Sequence, residues 1–102
     1  MSEQPAAVTR VQTGVRLESR MLNVLKALAA LKGMTLGDLL EGIVLHSFEG
    51  KSAFSDATLL QIRDLKKVYG LTLKASDSHL LTEVPPRRGA KTAAPRRKRN
   101  KS

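Results

Sequence analysis

The sequence predicts an all-α protein with one short N-terminal strand, two copies of which join through an antiparallel two-stranded ribbon, followed by a third helix and a disordered basic tail. Three observations predict it. Within "VQTGVRLESRMLNVLKAL", residues 11 to 28, the apolar period changes from two to that of a helix. Glycine and hydroxyl residues then punctuate the chain at helix-length intervals. From Pro85 onward no large apolar residue occurs, so a chain of 102 residues keeps one small foldable body.

The strand comes first. Val11, Thr13, Val15 and Leu17 share one face and Gln12, Gly14 and Arg16 the other. A lone strand leaves unpaired N–H and C=O groups along both edges, and no second strand pattern follows. The strand and two short helices, residues 10 to 49, are also too few to bury their apolar face alone. Two copies answer both needs: paired strands above, four helices below, with Val11, Thr13, Val15 and Leu17 resting on the helices.

The first helix opens near Ser19 and runs to Lys32, with Met21, Leu22, Val24, Leu25, Leu28, Ala29 and Leu31 as a broad apolar stripe. Gly33 supplies the left-handed residue that ends it. Thr35, with Asp38 three residues on, has the pattern of a capping box and predicts a second helix from Leu36 to Phe48, ended by Gly50. Ser55 and Asp56 compete to cap a third helix carrying Leu59, Leu60, Ile62, Leu65, Val68 and Tyr69, ended by Gly70. Phe48 and Tyr69 lie on apolar stripes and read as core residues. Residues 71 to 84 fit either a short extended piece or a last helical turn at His79 to Leu81. The organisation is thus a disordered arm over 1–9, a dimerisation body over 10–49, a helical extension over 50–84 and a disordered tail over 85–102.

Charge divides the chain sharply. Arg87, Arg88, Lys91, Arg96, Arg97, Lys98, Arg99 and Lys101 give residues 87–102 a charge of +8 out of the formal +9. The rest of the chain is nearly neutral. Eight cations without a counter-charge predict nonspecific contact with nucleic-acid phosphates. With no cysteine, disulfides and thiolate chemistry are excluded. "MSEQPAAVTR" lacks the apolar run of a signal peptide and no membrane-length apolar run occurs, so the protein is expected to be cytoplasmic, associated with the nucleoid. His46 and Glu49 are one helical turn apart, but two ligands make no metal site. No paired nucleophile and base and no phosphate-binding glycine loop is present. Neither an enzyme nor a cofactor is expected.

The strand "RVQTGVRLE", the first helix, the "KGMTLGDLLEGIV" turn and the second helix together resemble the ribbon-helix-helix DNA-binding proteins of the Arc, MetJ and CopG type, over about 40 residues. The resemblance implies a bacterial transcriptional regulator, such as a repressor, acting as a homodimer on double-stranded DNA. It also implies that the outward ribbon residues, here Gln12, Gly14 and Arg16, read base edges in the major groove. Arg pairs bidentately with guanine and Gln with adenine. A phosphate would sit on the backbone N–H groups of Thr35, Leu36 and Gly37, where the helix dipole favours an anion and Gly37 leaves the approach open. Gly14 departs from the family pattern, which usually has a polar side chain there. It either reduces selectivity, lets the backbone approach the groove floor, or marks a bulge. Two other functions fit the same sequence. In one, the protein is an antitoxin whose residues 51–84 bind a toxin. In the other, it is a dimeric scaffold or RNA-binding protein acting through its basic tail.

Overall fold

The computed structural model describes residues 6–84, in two units divided after Thr72. The basic tail, with its eight cations, and residues 1–5 lie outside the described residues. Three α-helices make up the first unit: α1 (Ser19–Leu31), α2 (Leu36–Phe48) and α3 (Asp56–Tyr69). Each begins and ends where the sequence places it, to within one residue. Thr35 Oγ1 accepts the N–H of Asp38 at 3.0 Å and so caps α2. Ser55, rather than Asp56, caps α3 by accepting the Thr58 N–H at 3.2 Å. Gly33, Gly50 and Gly70 take φ values of 68°, 71° and 69°, the left-handed conformation that lets the chain leave a helix at no Cβ cost.

The predicted strand is not formed. Residues 6–17 have no regular secondary structure, no strand occurs among the described residues, and the two-stranded ribbon is accordingly not seen. The face expected to rest on the helices is open, with Val11 80 % and Val15 74 % exposed. Alternation of apolar residues specifies which face of a strand would be covered. It does not supply an edge to pair with, and no other described segment offers one.

The core centres on α1. Leu28, Ala29 and Leu39 are buried, and Leu25, Ile43, Phe54, Ile62 and Leu65 pack around them. Helix α1 lies between its neighbours, packing on α2 and more extensively on α3. Thr58, Ile62, Leu65 and Lys66 form the stripe that α3 turns inward, the spacing expected of an amphipathic helix. Arg20 strengthens this arrangement from the start of α1. Its guanidinium donates to Glu18 Oε2 at 2.8 Å and to the Gly70 carbonyl at 3.1 Å, placing a cation at the negative end of the α3 dipole. Phe48 and Tyr69 are not core residues: Phe48 is 81 % exposed at the end of α2, and Tyr69 is 39 % exposed. A position on an apolar stripe leads inward only where a neighbouring helix covers that part of the stripe.

In the second unit, residues 73–84, the ambiguous stretch resolves into a single 3₁₀ turn at Ala75–Asp77, upstream of the turn considered at His79. The Lys74 N–H donates to Asp77 Oδ2 at 2.7 Å and fixes that turn. His79 has φ 69°, so the chain reverses there on a non-glycine residue.

Candidate nucleic-acid interface

The N-terminal segment carries the predicted reading residues, and the start of α2 carries the predicted phosphate residues. Folding brings Val11 and Thr13 of that segment beside the head of α2, whereas Gln12, Gly14 and Arg16 do not line the groove between them. An open groove of about 580 Å³ is lined by Thr9, Arg10, Val11 and Thr13 on one side and by Thr35, Gly37, Asp38 and Glu41 on the other. Gln12, Gly14 and Arg16 are all exposed along this segment. A Cβ placed on Gly14 would meet nothing within 4 Å, and Gly14 has no left-handed φ, so neither packing nor backbone strain within the chain requires glycine there.

At the head of α2 the Thr35 hydroxyl already serves the Asp38 amide, while helix geometry leaves the amides of Leu36 and Gly37 without intrahelical acceptors. A Cβ on Gly37 would lie 3.9 Å from Thr35 Oγ1, an ordinary contact, so the missing side chain keeps the approach open without being needed for packing. Asp38 and Glu41 on the same rim set a limit. An incoming phosphate needs cations to offset them.

Sequence reasoning missed the pair that supplies one. Arg10 Nε and Nη2 donate to Glu41 Oε2 and Oε1, both at 2.8 Å, in a two-bond fork across 31 residues. Arg10 opens the alternating stretch and Glu41 is the single charge between Asp38 and His46, but nothing in the local pattern joins them. Beside the fork, Val8 lies over Leu40, Val44 and Leu45 of α2 across a groove of about 420 Å³. At its other end the segment enters α1 through Glu18, whose Oε1 accepts the Met21 N–H at 2.8 Å.

Two carboxylates report on this geometry. Partial burial pushes Glu18 upward, but hydrogen bonds from Arg20 and from the amides of Met21 and Arg20 outweigh it and hold the group below its ordinary value. The hydrogen bonds from Arg10, reinforced by its charge, likewise hold Glu41 below the ordinary value of 4.5. A depressed carboxylate stabilises the state that depresses it at pH above the ordinary value, and that contribution is lost as pH falls through the lowered one. In a carboxyl-resolved titration Glu41 should therefore titrate below 4.5, and Arg10→Ala should return it to the ordinary range. An unchanged Glu41 titration in that variant would show that the fork does not persist in solution.

Among the described residues no three His, Asp or Glu side chains converge as a metal-ligand set, and no helix is long and apolar enough to cross a membrane. Comparison of the chain with protein-family models, curated proteins and solved structures finds no match.

Proposed function

We propose that the protein is a homodimeric, DNA-binding transcriptional regulator. In this reading Gln12 and Arg16 contact base edges, the head of α2 contacts a phosphate, and residues 87–102 add nonspecific phosphate contacts. The observation that carries it is that the segment bearing the reading residues runs beside the α2 N-terminus, with Thr9, Arg10, Val11 and Thr13 lining one groove with Thr35 and Gly37, while Gln12 and Arg16 lie exposed on the same segment outside that lining. The polycationic tail fits the same ligand. The packing of Ile62 and Leu65 on the core around α1 within one chain favours the regulator over the antitoxin reading, although Leu59, Leu60 and Val68 of the same helix stay exposed. The test is binding to a duplex selected by footprinting on the protein's own promoter, against a scrambled duplex. Arg16→Ala should cost roughly 1 to 3 kcal/mol per guanine contact on the selected site and much less on the scrambled one. Equal losses on both duplexes would reduce Arg16 to a phosphate contact.

Helix α2 supports the homodimer. It carries apolar side chains away from the core as well as toward it: Leu39 and Ile43 face the core, while Val44, Leu45 and Phe48 are 43 %, 64 % and 81 % exposed. Asp38 and Glu41 share that outer side, and Glu41 is engaged by Arg10. An exposed apolar patch of this kind suits burial against a second copy. The midpoint of thermal unfolding should then rise with protein concentration. A midpoint independent of concentration, with a monomer mass by sedimentation, would remove the dimer.

A further inference from the structure

Helix α2 carries both a hole and a knob on its outer side. Glu41, Val44, Leu45 and Phe48 are spaced i, i+3, i+4 and i+7, which puts them on a single stripe of the helix. Along the first part of that stripe Val8 lies over Leu40, Val44 and Leu45, leaving the apolar groove of about 420 Å³. One turn further on stands Phe48, the most exposed of the large apolar side chains among the described residues. A face that holds an apolar knob beside an apolar hole is complementary to itself. That is the condition for pairing about a two-fold axis.

We propose that two copies pair through antiparallel α2 helices about an axis at Val44 and Leu45, each Phe48 seating in the partner subunit's groove. This rests on the homodimer reading above and adds to it the face, the orientation and the anchor. Helix spacing sets the seat. Counted from an axis between Val44 and Leu45, Phe48 lies as far toward one end of α2 as Glu41 lies toward the other, so antiparallel pairing sets Phe48 over the turn that holds Leu40 and Glu41. Charge sets the orientation. Asp38 is in the first turn of α2, whereas Lys51 is held at the other end, its N–H donating to the His46 carbonyl at 2.9 Å. Antiparallel pairing carries each Asp38 toward the partner subunit's Lys51 and opposes the two helix dipoles. Parallel pairing would align the dipoles, set like charges together and leave both grooves empty. Glu41 lies under the seat, but the fork from Arg10 already offsets its charge.

The chain has no cysteine, so single cysteines introduced into the full-length protein report on the interface without background. Leu45→Cys places a thiol beside the axis, where the two copies meet. Asn23→Cys places one at an exposed position of α1, outside the α2 stripe. Phe48→Asp removes the anchor and puts a charge into an apolar seat, whereas Phe48→Leu keeps the seat apolar but fills less of it. Phe48 is not part of the cluster around Leu28, so neither change touches the core within one chain. Sedimentation measures association, and a short thiol cross-linker measures which positions meet.

Leu45→Cys should be captured as a cross-linked dimer at protein concentrations where Asn23→Cys stays unlinked. Phe48→Asp should weaken association at least about thirtyfold, the loss expected of a buried aromatic anchor, with Phe48→Leu between it and the wild type. Association of Phe48→Asp equal to that of the wild type would overturn the anchor. Equal cross-linking of the two cysteine variants would overturn the α2 face while leaving a dimer through another surface standing. A wild-type chain that sediments as a monomer at every concentration would overturn the homodimer and this interface together, and the groove would then belong to a different occupant.

Discussion

A chain ending at Gly50 should lose its cooperative unfolding transition, whereas a chain ending at Pro86 should keep it. Removing residues 51 to 102 strips Phe54, Ile62 and Leu65 from the cluster around Leu28, Ala29 and Leu39 and leaves the α3 side of α1 bare. It also removes Gly70, the acceptor that ties Arg20 to the end of α3. Three partly buried apolar side chains at about 1.5 to 3 kcal/mol each when fully covered make a loss of several kcal/mol, before the newly exposed faces of Leu25 and Leu28 are counted. A domain with about 5 to 15 kcal/mol in all does not survive much of that. The comparison chain isolates the cause, since it lacks the sixteen residues 87–102 and retains the three helices. Circular dichroism and urea unfolding of both proteins at one concentration make the measurement. If the shorter chain unfolds at the same midpoint, α3 is not what closes the core.

Deletion of residues 87–102 should change DNA binding more than any single substitution. Up to eight phosphate contacts per chain, each adding about 0.9 to the slope of log affinity against log salt, give a slope contribution near 7 per chain. A protein of that kind loses about 10³- to 10⁵-fold in affinity between about 50 and 200 mM salt. The tail-deleted chain should bind more weakly on every sequence at low salt, and its affinity should then depend far less on salt. The ratio between selected and scrambled duplexes should persist, because phosphate contacts carry no sequence information. Arg16→Ala gives the opposite pattern. If instead Arg16→Ala changes nothing and tail deletion abolishes all binding, residues 10–17 read no bases and the protein acts through its tail as a scaffold or RNA-binding protein.

Local features are legible in the chain alone. The helix bounds follow from side chains three and four residues apart and from caps that reach three residues: Thr35 to Asp38, Ser55 to Thr58, and the left-handed Gly33, Gly50 and Gly70. Gln12, Gly14, Arg16 and the head of α2 became candidate contacts through the resemblance to ribbon-helix-helix proteins, which implies those positions.

What depends on distant partners emerges from the packing of the folded chain. A strand needs an edge from elsewhere, so the alternation of Val11, Thr13, Val15 and Leu17 could be read while their exposure could not. Phe48 and Tyr69 sit on stripes whose period is clear, but whether a stripe is covered depends on where another helix lies. Likewise Arg10 and Glu41 are two unremarked charges until folding brings positions 31 residues apart within 2.8 Å. Periodicity records the faces of an element; which faces meet is settled by the packing of the whole chain, here by α1 taking α3 on one side and α2 on the other.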